Sequence, residues 1–363
     1  MTSFSEKDNA VMVRHGTSLE CPLEFQQDYI TPVDRFFVCN SGTSPVIPIE
    51  GYSLRIHGDG VECEITFRYE DLLAMPQQQV SAVIECAGNH RAFFHEADGK
   101  QIQTPAGTEE LIWSTGAVGM AHWGGVRFEH VLKLAGIKPQ AVHVCATGSE
   151  LDSIEGTIKL PLPVDKALHK DTLLALQMNS KTLSVDHGHP VRVLVPGWVG
   201  AYSIKWVQDI EVSCSRIQVR RNTQSYVLMG DSWPAEKYAP ATGKPITQLN
   251  IKSALALPRP ARVPGGLHCL HGYARSPGRK IASVVWSDNA GKTWSEARLV
   301  SNNEIYGWVK FEFDWHAQPG HHTLMTSATD ESGESQPEKV PFNTAGYLYN
   351  AVHPHPVEVI GQG

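Results

Sequence analysis

The sequence lacks both a surplus of basic residues and an apolar run long enough to form a membrane-spanning helix. Lys and Arg number 31 against 38 Asp and Glu, which gives a formal net charge of −7. Nucleic-acid binding needs a basic surface to meet the phosphates, and a spanning helix needs about 20 consecutive apolar residues. We therefore expect no nucleic-acid partner and no membrane span.

A secretory signal and a zinc-binding cysteine pattern are missing as well. The first ten residues, MTSFSEKDNA, have no basic flank and no apolar segment. This predicts a cytoplasmic protein, or a periplasmic one if a leader was trimmed. No Cys-x-x-Cys motif occurs, and most of the cysteines are expected to be buried, inert thiols. They stand at positions 21, 39, 63, 86, 145, 214 and 269.

Alternation of apolar and polar residues with a period of two is common, whereas helical periodicity is scarce. Short helices are predicted where Pro76 ends YEDLLAMP and where Gly136 ends VRFEHVLKLAGI. The stretch YSLRIHGDGVECEITFR, residues 52–68, predicts two strands around Gly58-Asp59-Gly60. On the second of these strands one face is predicted to carry Val61, Cys63, Ile65 and Phe67.

A segment rich in Pro and Gly, residues 230–265, separates two parts of different pattern. Before it, strands mix with short helices. After it, IASVVWSDNAGKTWSEARLV predicts a hairpin, and several short strands with turns between them are typical of an immunoglobulin-like β-sandwich. In WVKFEFDW the face predicted to be apolar carries Val309, Phe311, Phe313 and Trp315. We predict two domains, residues 1–245 and 246–363.

The most unusual stretch is VIECAGNHRAFF, residues 83–94, where a strand-like run leads Cys86 into a turn beside His90 and Arg91. The thiol could be a nucleophile activated by neighbouring cations. It could instead be a soft ligand for a thiophilic metal. A third interpretation, the commonest for a cysteine, is an inert core residue in a tight turn. The local residues alone do not choose among the three.

Two other motifs favour structural interpretations. The histidines of DHGH, residues 186–189, have a spacing that a metal site could use, but such loop histidines are more often structural. AGKT, residues 290–293, lacks the upstream glycine of a phosphate-binding loop and lies within the predicted hairpin.

Several segments, taken in order, resemble the sulfite oxidase family of molybdenum enzymes. CAGN, residues 86–89, is similar to the family's metal-binding loop. WSTGAVGMAHWGGVRFEHVLKLAG, residues 113–136, and MNSKTLSVDHGHPVRVLVPGWVGAYSIKWVQDIEV, residues 178–212, are similar to two further family blocks. The tail, with SDNAGKTW, resembles the family's immunoglobulin-like dimerisation domain. The resemblance extends over residues 30–350 and is nearest to bacterial members without a fused haem domain.

The resemblance implies an α+β molybdopterin domain with mixed sheets and short helices, then an all-β immunoglobulin-like sandwich that forms a homodimer. It implies a molybdenum–molybdopterin cofactor, with Cys86 as the protein ligand of the metal. Arg91 and Tyr226 are predicted to act on the substrate, and Trp113 to line the pocket. The positions predicted to hold the cofactor are Cys39, Asn40, Asp152, His187, Arg192, Ser203, Ile204 and Lys205.

The chain also departs from the family pattern. In RFFVCNS, Cys39 and Ser41 stand where the family has arginine and histidine. His90 replaces an arginine after the cysteine loop, and Ala345 in FNTAG replaces another. Arg91 alone of these arginines remains, so the sequence predicts a pocket that is roomier and less positive than that of sulfite-specific relatives.

Three functions are compatible with these features. The first is oxo transfer to sulfite or a related sulfur compound, with electrons passed to an external one-electron acceptor such as a c-type cytochrome. The second is reduction of an S-oxide, an N-oxide or nitrate. The third is a cofactor-binding module with a degraded substrate site. The partner would be a small anionic or sulfur-containing molecule in the first two cases.

Overall fold

The computed structural model describes residue 4 and residues 6–104, 112–150, 152–153 and 156–361. No helix in that part of the chain has both the length and the apolar character that crossing a membrane requires. Its α-helices are short: α1 (Tyr69–Ala74), α2 (Ala92–Asp98), α3 (Phe128–Leu134) and α4 (Val164–Ala167). Both predicted helices, α1 and α3, are confirmed.

Strands outnumber α-helices in the described part of the chain before residue 250. They are β1 (Val13–His15), β2 (Ser18–Glu20), β3 (Ser53–His57), β4 (Ile65–Arg68), β5 (Gln77–Glu85), β6 (Val118–Arg127), β7 (His143–Gly148), β8 (Ile158–Lys159), β9 (Leu162–Pro163), β10 (Leu173–Met178), β11 (Lys181–Thr182), β12 (Arg192–Leu194), β13 (Val207–Ser213), β14 (Val227–Leu228) and β15 (Lys244–Pro245). A π-helix at Arg221–Ser225 precedes β14.

Two sheets organise this region. One has the order β11-β10-β6-β5, with β12 also paired to β10, and all its pairs are antiparallel. The other has the order β4-β3-β13-β7-β8, with β9 on β7. In this second sheet β13 runs parallel to β3 and antiparallel to β7, so the sheet is mixed, as predicted.

The hairpin of β3 and β4 is shorter than predicted. Gly60 donates its N–H to the Val212 carbonyl at 3.0 Å, and Val61 pairs with Ile137, so the chain leaves the hairpin before β4 begins. Phe67 is buried with Val61, but Cys63 is exposed. The predicted shared face is therefore wrong at Cys63, which lies outside a strand.

The C-terminal part is all β. Its strands are β16 (Lys252–Leu255), β17 (Ala261–Pro264), β18 (Gly266–Arg275), β19 (Ile281–Ser287), β20 (Ser295–Glu296), β21 (Arg298–Leu299), β22 (Val309–Ala317), β23 (Gly320–Asp330) and β24 (His355–Ile360). They form two sheets, β16-β18-β22-β21 and β17-β24-β23-β19-β20. The sandwich is confirmed, and its core contains the predicted β22 residues Val309, Phe311, Phe313 and Trp315.

Residues 342–351 return to the first part of the chain. Ala345 and Tyr347 belong to the core of the first part, and Tyr349 packs against Phe93 and Phe94 of α2. The boundary between residues 245 and 246 stays a prediction, and the first core draws on residues from beyond it.

Candidate active site

Cys86 follows directly after β5, whose last residue, Glu85, pairs with Val118 of β6. The Cys86 N–H donates to the Ala117 carbonyl at 2.9 Å, which extends the sheet by one residue. The turn then closes on itself, because the Asn89 N–H donates to the Cys86 carbonyl at 3.0 Å and the Asn89 side chain accepts from Ala117 N at 3.1 Å. The thiol is therefore held at a strand end by a fixed turn.

Arg91 lies against this turn. A Cβ at Gly88 would come within 2.6 Å of the Arg91 guanidinium, so glycine at that position lets the guanidinium pack there. The guanidinium also lies over the Tyr347 ring, 5.1 Å from its centre. A hydrogen bond from Cys39 and then the charge of Arg91 lower the pKa of the Cys86 thiol. Arg91 thus packs against the cysteine turn and favours the thiolate form of Cys86.

A cavity with ≈ 750 Å³ of empty space, its open mouth included, lies in front of Cys86. The charged and reactive side chains among its lining residues include two thiols, three cations, one carboxylate, one imidazole and one phenol. They are Cys39, Cys86, Arg192, Lys205, Arg221, Glu150, His187 and Tyr226.

Two positive charges reach this cavity from Arg192, which is buried, and Lys205, which is partly buried. The Arg192 guanidinium donates to the carbonyls of His187 at 3.1 Å and Ser203 at 2.9 Å, and its Nε has no hydrogen-bond partner among the described residues. Lys205 Nζ donates to the Asp186 carbonyl at 3.0 Å. Burial lowers the pKa of Arg192 to about 9 and that of Lys205 to about 8, since desolvation disfavours charge. The hydrogen bonds of both groups go to neutral carbonyl oxygens, and the charge of Glu150 also acts on Lys205.

His187 ends a 3-10 turn immediately before Gly188, whose φ of +102° favours glycine. Lys7 Nζ donates to His187 Nε2 at 2.7 Å, and to the carbonyls of Val33 and Phe36 at 2.6 and 2.9 Å. Burial, and then the charge of Lys7, hold the pKa of His187 well below its ordinary value. The imidazole is therefore neutral. Nothing in the local sequence pointed to Lys7, because its contacts lie far along the chain.

Arg221 supplies the third cation. It begins the π-helix, and its guanidinium donates to the Ser41 hydroxyl at 2.7 Å. Ser41 N donates in turn to a carboxylate oxygen of Glu150 at 3.0 Å. Arg221 thus brings a positive charge to Ser41 from a distant part of the chain. That the pocket is roomier and less positive than in sulfite-specific relatives stays a prediction. Sequence reasoning missed Arg221, which stands in a doublet with the exposed Arg220.

Tyr226 follows the π-helix and forms a wall of the cavity. Its ring stacks on that of Tyr347, with centroids 5.7 Å apart and an interplanar angle of 14°. The Arg221 guanidinium carbon lies 5.5 Å from the centre of the Tyr226 ring. The stack on Tyr347 therefore fixes the Tyr226 ring beside the Arg221 guanidinium.

The structure brings most of the predicted site residues together on this cavity. Asn40 lies behind the lining and accepts a hydrogen bond from Lys205. Asp152 is exposed and is not among the described lining residues, whereas Glu150 is. Trp113 is fully buried in the protein core instead of lining the cavity. The predicted residues that do line it are Cys39, Cys86, His187, Arg192, Ser203, Ile204, Lys205 and Tyr226.

Two positions that depart from the family pattern lie away from the cavity. His90 is buried with its ring 5.1 Å from that of His353, and burial lowers the pKa of both imidazoles. Ala345 is buried in the core of the first part of the chain. Neither residue contributes a donor or a charge to the cavity lining.

These residues fit a molybdopterin-bound metal. Among the described residues there is no group of three or more His, Cys, Asp or Glu that could hold a metal ion. A metal at Cys86 would therefore take its remaining ligands from a cofactor. The thiol is the soft ligand that such a metal prefers, and the unused N–H of Arg192 beside Lys205 suits the phosphate of a pterin.

Comparison with known proteins agrees with this fit. Residues 41–219 match the oxidoreductase molybdopterin binding domain, and residues 243–360 match the Mo-co oxidoreductase dimerisation domain. Sulfite oxidase of Gallus gallus is 32% identical over 341 residues, which cover 90% of this chain and 72% of that enzyme. The chain belongs to the sulfite oxidase family of molybdenum enzymes. The predicted molybdopterin cofactor is thereby confirmed.

Two further similarities agree with this assignment. The mitochondrial sulfite oxidase of Drosophila melanogaster is 31% identical over 354 residues, which cover 92% of this chain and 60% of that enzyme. The chain thus spans 60% of that relative's length. The crystal structure of the sulfane dehydrogenase SoxCD from Paracoccus pantotrophus has a TM-score of 0.81 at 24% identity, covering 99% of this chain and 87% of that one. The similarity to the sulfane dehydrogenase structure shows a shared fold.

Proposed function

We propose that this member of the sulfite oxidase family oxidises sulfite or a related small sulfur oxyanion. The observation that carries the proposal is Arg221, whose guanidinium stands in the same cavity as the Cys86 thiol and is fixed by Ser41. An anionic substrate needs charge-assisted donors, each worth roughly 1.5–3 kcal/mol. Arg221 supplies such donors in a chain that has cysteine in place of the family arginine at position 39.

In this proposal Cys86 is the protein ligand of molybdenum. His187, Arg192 and Lys205 would hold the pterin, together with Ser203, Ile204 and Asn40. The role of Asp152, which is exposed and outside the described lining of the cavity, stays a prediction from the sequence. The bound cofactor supplies oxygen-atom transfer to the substrate sulfur and stores two electrons. The protein's own contribution is orientation and positive charge. His187 stays neutral in this arrangement, so it offers a hydrogen-bonding ring without adding a further charge.

Arg221 and Tyr226 are proposed to orient the substrate. Arg221 offers a planar, permanently charged fork that matches an oxyanion, which a lysine would not reproduce. Tyr226 places a phenol beside it, held in position by its stack on Tyr347. Arg91 is proposed to act on the reaction through Cys86, since it packs against the cysteine turn.

Electron transfer and assembly are also part of the proposal. The electrons leave singly to an external acceptor, for which a c-type cytochrome has suitable chemistry. The chain forms a homodimer through its C-terminal sandwich, supported by the match of residues 243–360 to a dimerisation domain. Light scattering on the full chain tests the dimer, and a monomer at micromolar concentration would contradict it.

The decisive experiment measures turnover in both directions on protein of known molybdenum content. We expect sulfite-dependent reduction of ferricyanide. Reduction of S-oxides, N-oxides or nitrate by a reduced viologen, without sulfite oxidation, would replace this proposal with the reductase. Molybdenum-loaded protein that is inactive in both assays would indicate a cofactor-binding module.

A further inference from the structure

Cys39 and Cys86 form a thiol pair at the wall of the cavity. Their sulfur atoms are 4.0 Å apart although the residues lie 47 positions apart in sequence. Among the described residues, which include all seven cysteines, this is the one pair of cysteine sulfurs in contact. Both side chains are only half-buried and line a cavity open to solvent, so small molecules can reach them.

We propose that Cys39 and Cys86 form a reversible disulfide in the chain before cofactor loading, and that only the reduced pair accepts molybdenum. The first half stands on the geometry alone, and the second rests on the proposed role of Cys86 as metal ligand. A disulfide bond is about 2.05 Å long, so the sulfurs must approach by about 2 Å. Rotation of two unbranched side chains that face open space supplies that movement.

The oxidant is a small disulfide such as oxidised glutathione. One cavity thiol, as thiolate, attacks a sulfur of the small disulfide and releases one small thiol. The second cavity thiol then attacks the resulting mixed disulfide; the Cys39–Cys86 bond forms and the other small thiol leaves. The two cysteines give up two electrons and two protons. The small disulfide takes up these electrons and protons and becomes two small thiols.

The disulfide has two consequences for the site. A sulfur bonded to another sulfur is not available as a thiolate ligand, so loading is blocked until the pair is reduced. The same bond protects the metal-ligating sulfur from irreversible oxidation to sulfinic acid, because the disulfide is reversed by thiols. A serine or an arginine at position 39 would remove both effects.

The test uses the full chain, produced in a host that does not make the pterin and treated with oxidised glutathione. Peptide mass spectrometry is expected to find a cross-link between residues 39 and 86 that dithiothreitol removes. In Cys39→Ser the cross-link is lost and Cys86 carries glutathione instead. The matched control, Cys63→Ser at an exposed cysteine, keeps the cross-link. Glutathione on Cys86 of the unmodified chain, without the cross-link, would overturn the proposal.

Loading is then measured as molybdenum per chain after addition of molybdopterin cofactor, without any activity assay. We expect the cross-linked protein to bind little molybdenum, and the same protein to bind it once dithiothreitol has reduced the pair. Equal binding by cross-linked and reduced protein would refute control of loading. Equal binding by Cys86→Ser and the unmodified chain would instead refute the proposed metal ligand, and it would leave the cross-link itself standing.

Discussion

The Glu85 carboxylate, one residue before Cys86, forms an ion pair with Lys252 of the C-terminal sandwich at an O–N distance of 2.7 Å. Arg275, which lies opposite Lys252 on the neighbouring strand, binds the other carboxylate oxygen. All three side chains are buried. The strand that presents the thiol is therefore anchored by two cations from the other domain.

Glu85→Gln is expected to destabilise the protein by about 3–5 kcal/mol, because it leaves two buried cations without their counter-charge. Urea unfolding measures the change. The control is Glu96→Gln, which removes the exposed partner of Arg259 and is expected to cost no more than about 1 kcal/mol. Equal stability of the two variants would show that the buried cluster contributes nothing beyond a surface pair.

The same carboxylate predicts a pH dependence. Burial alone would raise the pKa of Glu85, but Arg275 and Lys252 together lower it below its ordinary value of 4.5. A depressed carboxyl pKa gives stability that is fully present above pH 4.5 and is lost as the pH falls through the folded-state pKa. The stability difference between the unmodified chain and Glu85→Gln should therefore shrink as the pH falls through the folded-state pKa of Glu85. A difference that grows in acid would reverse the assigned sign.

Cys86→Ser is expected to abolish oxo transfer, because a hydroxyl does not replace a soft thiolate at the metal. Turnover and molybdenum content of the purified variant measure this. Cys269→Ser, at an exposed cysteine of the sandwich, should behave as the unmodified chain. Unchanged turnover in Cys86→Ser would remove this residue from the site.

Arg221→Met is expected to raise the KM for sulfite by about tenfold or more, since it removes charge-assisted hydrogen bonds to an anion. The neighbouring exposed residue offers a matched control, Arg220→Met, for which no change is expected. Steady-state kinetics with sulfite and ferricyanide separate KM from kcat. If both variants have the same KM, Arg221 does not contact the substrate.

Cys39→Arg is expected to lower the KM for sulfite by roughly tenfold, through one added charge-assisted contact. Ser41 is best left unchanged, because it holds Arg221. Cys63→Arg, at an exposed cysteine, serves as the control for added charge. A lower melting temperature with unchanged kinetics would mean that the new guanidinium is buried without a partner.

The sequence predicted the structure best where a feature depends on residues that are close together in the sequence. The Cys86 turn is set by a strand end and by Asn89, three residues later, and both are visible in VIECAGNHRAFF. The apolar face of β22 follows in the same way from strict alternation. The further cavity-lining positions up to Lys205 came from the resemblance to the family, because each family motif occupies one short segment.

Contacts between distant segments were not readable. Arg221 meets Ser41 across 180 positions, and the π-helix that aims its guanidinium has no distinctive sequence pattern. Lys7 reaches His187 over the same separation. The predicted strand position of Cys63 was wrong for a related reason. Gly60 hydrogen-bonds to the distant Val212, and the strand begins only after Cys63. Periodicity describes one element and carries no information about which element it will meet.

The stack of Tyr226 on Tyr347 sets an order of events during synthesis of the chain. Domains generally fold from the N-terminus as they leave the ribosome. Here one wall of the cavity rests on a residue 121 positions later in the sequence than the tyrosine it supports. The complete cavity therefore forms only after Tyr347 has been synthesised, so the cofactor enters a finished site only after that point.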